Sequence, residues 1–142
     1  MTQQIAVIDY GSGNLHSVAK ALERAGNCKV QVSGDPDAIR QANRVILPGV
    51  GAMGDCMAGL KHRGLDELVL DLIGRVPLMG VCVGMQMMAK SSEEGVLDGL
   101  AWIDATVSKF NKEELGGKKP LPHMGWNSVE QNADSLLFKD ID

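Results

Sequence analysis

The chain has 142 residues, 44% of them hydrophobic and 23% charged, with a formal net charge of −4 at pH 7. That is enough for one domain with a sizeable core, and the acidic balance gives no reason to expect nucleic acid or an anionic membrane as partner. No apolar run approaches a membrane span, no signal-peptide layout opens the chain, and Cys28, Cys56 and Cys82 show no metal-binding spacing, so the expectation is a cytoplasmic protein without metal or cofactor.

In chain order, Gln4–Asp9 reads as a buried strand, and Tyr10–Asn14 as a loop. Leu15, Val18, Ala19, Leu22 and Ala25 recur at helical spacing, with Lys20, Glu23 and Arg24 on the opposite face. Gly26 and Asn27 end that helix. Cys28–Val32 is a second strand. Asp35 as cap and Pro36 at the first position open a second helix. Arg44–Leu47 is a third strand. This rhythm implies right-handed crossovers and a parallel sheet covered on both faces.

A glycine-rich loop, Pro48-Gly-Val-Gly-Ala-Met-Gly54, follows the third strand directly. Ligand sites of such sheets lie beyond the carboxyl ends of the strands, and a loop of this kind can aim backbone N–H groups at an anion or oxyanion. It carries neither GxxxxGK[ST] nor GxGxxG, so a phosphate loop is disfavoured. Asp55–Leu60 and Leu65–Ile73 read as helices broken near Gly64.

Val76–Val81 reads as a short buried strand, because it is apolar without alternation. Met85–Lys90 favours helix. Cys82 therefore falls at a sharp strand-to-helix turn, between Gly80 and Gly84. This is the pattern of a nucleophile elbow with Cys in place of Ser. The turn strains the nucleophile's backbone, so the residues two positions either side must be small. A helix N-terminus would favour the thiolate, and the N–H of Val83 would point at a developing oxyanion. Read alone, the motif fits a buried cysteine packed in a tight turn equally well.

Beyond the elbow, Ser91–Gly95 reads as a polar loop and Trp102–Phe110 as a strand. Glu113–Lys118 is a turn, and Leu121–Asn127 leads into Ser128–Glu130. This half is expected to hold antiparallel strands with exposed loops, and Leu136–Phe138 to dock on the core. No linker or repeat divides residues 1–142, so a single domain is expected.

Four segments together resemble one family: Asp9-Tyr-Gly-Ser-Gly-Asn-Leu15, Pro48-Gly-Val-Gly-Ala52, Gly80-Val-Cys-Val-Gly-Met-Gln86 and Pro122-His-Met-Gly-Trp-Asn127. They are similar to the glutaminase subunit of imidazole glycerol phosphate synthase, a class I, triad-type glutamine amidotransferase of histidine biosynthesis. The resemblance implies a flavodoxin-like, three-layer α/β fold with a parallel central sheet. It implies that Cys82 attacks the side-chain amide of L-glutamine, forms a thioester and releases ammonia. Gly49, Val50 and Gly51 would give the second oxyanion donor through a peptide reorientation, beside the N–H of Val83. Gln86 and Glu94 would hold the amino-acid end of the substrate. Pro122, His123, Met124 and Trp126, with Asn14 nearby, would face a cyclase subunit of (β/α)₈-barrel fold in a heterodimer. That barrel would use the ammonia to make imidazole glycerol phosphate and an aminoimidazole-carboxamide ribonucleotide.

One family feature has no match. The family's base and its orienting acid sit in a His-x-Glu stretch near the C-terminus, and the histidines here are His16, His62 and His123. None matches that position. The expectation is therefore a C-terminally truncated fold whose residues 1–142 lack the base and are inactive alone. Two alternatives stand beside it. One is a catalytically dead amidase that only binds the cyclase. The other is a cysteine-elbow protein of the DJ-1/PfpI type.

Overall fold

The computed structural model describes residues 2–116, 120–131, 138 and 139. It divides into two compact units, Met1–Lys109 and Phe110–Asp142.

The first unit is built on a four-stranded, all-parallel sheet in the order β2-β1-β3-β4. Its strands are β1 (Gln3–Ile8), β2 (Cys28–Ser33), β3 (Arg44–Leu47) and β4 (Leu78–Gly80). Such strands need apolar side chains on both faces, and Ile5 to Ile8 of β1 are all buried. Alternate residues then go to opposite layers. Ile5, Val7 and Ile46 pack with Leu15, Val18 and Leu22 of α1 (Leu15–Ala25). Ala6, Ile8, Val45 and Leu47 join the larger core. That core takes Ile39 from α2 (Pro36–Arg40), Met57 and Leu60 from α3 (Met53–His62), and Leu65, Leu68, Val69 and Leu72 from α4 (Leu65–Leu72). The expected three layers are present in this unit.

Local signals account for several boundaries. Asp35 caps α2 by accepting a hydrogen bond from the Asp37 N–H at 3.0 Å, with Pro36 in the first turn. Gly64 takes the left-handed conformation, φ 64°, between α3 and α4. Gly26 ends α1 in extended backbone, not in a left-handed cap.

Three expectations change. β4 is shorter than Val76–Val81, because it lies at the sheet edge and pairs only along the short β3. The helix expected over Met85–Lys90 is a single turn, α5 (Val83–Gln86), and Ala89–Ser92 forms β5 instead. So Ser91 and Ser92, expected in a loop, lie in a strand, and Ser92 is buried. Finally, β5 pairs parallel with β6 (Ile103–Val107), where antiparallel strands were expected. The intervening chain first doubles back along β5, with Gly99 N–H bonding Lys90 O at 2.8 Å and Ala101 N–H bonding Ala89 O at 3.1 Å. Only then does β6 set off in the same direction as β5.

Among its described residues, the second unit has a turn over 112–116 and no strand over 120–131. The expected strand into Ser128–Glu130 is therefore not formed. Leu136 and Leu137 of the expected docking turn lie outside the described residues, as do Gly117 and Lys118.

Candidate active site

The site begins where β3 and β4 end side by side. Leu47 and Gly80 are register partners, and Val81 N–H bonds Leu47 O at 3.0 Å. Two turns therefore leave the sheet next to each other, Pro48–Ala52 from β3 and Val81–Gly84 from β4.

Cys82 sits at the apex of the second turn with φ 56° and ψ −119°. For a residue with a Cβ, such a conformation costs about 1–3 kcal/mol and is held only by its surroundings. Those surroundings are visible at the flanking glycines. A Cβ on Gly80 would stand 2.7 Å from the Cα and N of Met85. A Cβ on Gly84 would overlap the Leu47 carbonyl. The elbow is thus pressed against the end of β3 with no room for a side chain. Met85 and Gln86 N–H groups both bond Cys82 O, at 3.0 and 3.2 Å. The Val83 N–H, first in α5, takes no partner among the described residues. The helix that starts here is one turn, and a helix that short has little macrodipole.

The glycine loop lies against this elbow. A Cβ on Gly49 would meet Gly84 N at 2.8 Å, the Tyr10 hydroxyl at 2.9 Å and Val83 Cβ at 3.0 Å. Gly51 has φ 89°, and Val50 is exposed. So Gly49 packs on Val83 and Gly84, the two residues that follow Cys82. Glu94 meets the same loop at an open recess of about 360 Å³, lined by Gly51, Ala52, Glu94 and Lys109. Gln86 is half-buried, and its Oε1 is buried with no hydrogen-bond partner among the described residues. A buried acceptor left unpaired costs about 1–3 kcal/mol.

The remaining candidates are exposed. Asn14 precedes α1 and makes no side-chain cap bond. His16 and His62 are exposed on α1 and α3. In the second unit Pro122, His123, Met124 and Trp126 are all exposed, Trp126 completely. Among the described residues no hydrogen bond reaches Cys82 Sγ, and no three His, Cys, Asp or Glu side chains gather as a metal site.

Comparison with known proteins places this geometry in a lineage. The glutamine amidotransferase class-I family profile matches residues 6–142. The chain belongs to that family. Within the family it is 49% identical to the imidazole glycerol phosphate synthase subunit HisH of Neisseria meningitidis serogroup B, over 97% of this chain and 69% of that one. It is 48% identical to the HisH subunit of Pseudomonas syringae pv. syringae, over 98% of this chain and 67% of that one. The chain thus spans about two thirds of these relatives. A crystal structure of a glutamine amidotransferase superposes with a TM-score of 0.58 at 20% identity, over 72% of this chain and 55% of that one, which supports the fold alone. Class-I amidotransferases are enzymes, and the HisH relatives favour that lineage over the DJ-1/PfpI alternative. No helix among the described residues is long and apolar enough to cross a membrane.

Sequence reasoning missed Tyr10, Ser12 and Cys56, which surround the loop of this amidotransferase from below. The Tyr10 hydroxyl donates to Pro48 O at 2.7 Å. Ser12 Oγ and Cys56 Sγ both donate to Val50 O, at 3.1 and 3.2 Å. Burial, then the adjoining Cys56 thiol, pushes the Tyr10 phenol well above the usual tyrosine range, so it stays a donor. The one usable signal was Tyr10 itself, since a buried tyrosine hydroxyl needs a partner.

A labelling experiment separates the cysteines. Cys82 is exposed, Cys28 half-buried and Cys56 buried. Limiting iodoacetamide followed by mass mapping is expected to modify Cys82 first. Modification of Cys28 or Cys56 ahead of it would contradict the exposed elbow.

Proposed function

We propose that this chain carries the glutamine-hydrolysing half of an imidazole glycerol phosphate synthase. Cys82 attacks the side-chain amide of L-glutamine, forms a thioester and releases ammonia. The observation that carries the reading is the strained, exposed Cys82 at an elbow whose Val83 and Gly84 pack against Gly49. The N–H groups of Val83 and Val50 stabilise the oxyanion, for which such donors are worth roughly a hundredfold to a thousandfold each in rate. Gln86 and Glu94 take the amino-acid end. The Glu94 carboxylate faces the α-ammonium from the recess beside the loop.

The family's His-x-Glu pair is not supplied by His16, His62 or His123, whose positions offer Cys82 no hydrogen bond among the described residues. The test therefore uses a chimera that adds the last third of the Neisseria relative to this chain, mixed with a cyclase barrel of the same system. Ammonia release from glutamine is expected, and release no faster than the Cys82→Ala background overturns the assignment. Residues 1–142 alone are expected to be slower by several orders of magnitude, as for a triad without its base.

The partner is a cyclase subunit of (β/α)₈-barrel fold, which receives the ammonia. Exposed Trp126 and Met124, with Pro122 and His123, form an apolar surface of the kind that anchors interfaces. Trp126→Ala is expected to weaken cyclase binding by about 2 kcal/mol or more. Calorimetric titration checks this, with thermal unfolding as control. Unchanged affinity would remove Trp126 from the contact.

A further inference from the structure

The loop that faces Cys82 is held very unevenly. The Pro48 carbonyl accepts the Tyr10 hydroxyl at 2.7 Å, in a buried setting. That bond fixes the plane of the Pro48–Gly49 peptide. The Val50 carbonyl accepts from two side chains at once, Ser12 Oγ at 3.1 Å and Cys56 Sγ at 3.2 Å, and those two donors lie 3.7 Å apart. Two donors converging on one carbonyl fix the plane of the Val50–Gly51 peptide. Between them lies the Gly49–Val50 peptide. Neither its carbonyl nor its N–H has a hydrogen-bond partner among the described residues. Gly49 brings no Cβ to resist rotation, and a Cβ there would strike Tyr10 and Gly84.

We infer that Tyr10, Ser12 and Cys56 are positioning residues that clamp the peptides on either side of Gly49–Val50. Only that one peptide can then turn its N–H toward the oxyanion at Cys82. This rests on the proposed glutaminase reading for its purpose, though not for its geometry. A loop free along its whole length would spread the rotation over several torsions, and its donor would miss the oxyanion. A loop pinned at every peptide could not turn. The arrangement leaves two torsions, ψ of Gly49 and φ of Val50. The clamp comes from β1's exit loop and from the buried face of α3, both rigidly seated: Tyr10 and Cys56 are buried in the main core. Among the described residues none of the three hydrogen-bonds the sulfur of Cys82, so each acts through the loop.

The test measures the amide order of Val50 and Gly51 by dipolar couplings of the chain in dilute alignment, which average over slow as well as fast motion. In the parent the Gly51 N–H is expected near the rigid-backbone value of about 0.85 and the Val50 N–H below about 0.6. Equal order at the two positions overturns the clamp, and this comparison needs no variant. In Ser12→Ala/Cys56→Ala, Gly51 is expected to fall to the level of Val50. Cys56→Ser, which keeps a donor for Val50 O, is expected to retain Gly51 order where Cys56→Ala loses part of it. A rigid Gly51 in the double variant, or Ser behaving as Ala, also overturns the clamp. These couplings are read whether or not glutamine is hydrolysed. In the chimera with its cyclase, the double variant is expected to lose between about tenfold and a hundredfold in kcat, with KM for glutamine within about twofold. An unchanged kcat alongside a loosened Gly51 overturns the positioning role. A parent chimera without activity would instead count against the glutaminase reading and leave the clamp to the couplings.

Discussion

Cys82→Gly is expected to make the protein more stable while ending its chemistry. The parent residue holds φ 56° and ψ −119°, which costs about 1–3 kcal/mol for a side chain with a Cβ. Glycine adopts that region freely, at a cost in unfolded-chain entropy of about 0.5–1 kcal/mol. The net gain is about 1 kcal/mol, or about 3 °C in Tm for a chain of this size. On the proposed role of Cys82 as nucleophile, ammonia release by the chimera should fall by several orders of magnitude. Calorimetry of Cys82→Gly beside Cys82→Ala separates the two effects, because alanine removes the thiol and keeps the strain. A Cys82→Gly variant that melts below Cys82→Ala would mean that the turn stores no strain.

The second large effect lies two residues on. Gly84→Ala places a Cβ where the Leu47 carbonyl already stands. Leu47 is the last residue of β3 and its side chain is fully buried, so neither backbone can yield cheaply. A loss of about 3 kcal/mol or more is expected, of the size seen only for overpacking or backbone strain. Gly54→Ala in α3 is the paired control. A Cβ there meets nothing within 4 Å, and alanine favours helix by about 1 kcal/mol. Chemical denaturation of both variants gives the comparison. A Gly84→Ala protein as stable as Gly54→Ala would refute the packing of the elbow on β3.

The first half of the fold was legible because each element there declares itself locally. Leu15, Val18 and Leu22 are spaced for one helix face and do pack on Ile5, Val7 and Ile46. Asp35-Pro36 announces a helix start, and the cap bond is present. Past the elbow, local preference and burial disagree. Met87, Met88 and Ala89 are good helix formers, yet all three are buried and Ala89 pairs with Ile103. A strand partner fourteen residues away outweighed propensity, as tertiary context often does. Ser92 reads as a loop residue, but its hydroxyl accepts the Glu94 N–H at 3.1 Å and closes the turn after β5. At the site, Cys82 and its glycines were readable because the strain is local to five residues. The support under the loop was not. Ser12 and Cys56 stand 38 and 6 residues from Val50 and converge on its carbonyl, and no periodicity records such a meeting.

The contact between Gly84 and the Leu47 carbonyl has a further consequence. Leu47 is followed at once by Pro48 and Gly49, so the Cys82 elbow and the glycine loop are both measured from the same residue of β3. Breathing of the sheet, or a shift of β3 against α3 and α4, carries the two together and leaves their spacing alone. The same coupling sets the smallest piece that could be transplanted onto another parallel sheet. Neither turn would work as a graft by itself. The transferable cassette is Leu47–Gly51 together with Gly80–Gly84, two neighbouring strand ends moved as one.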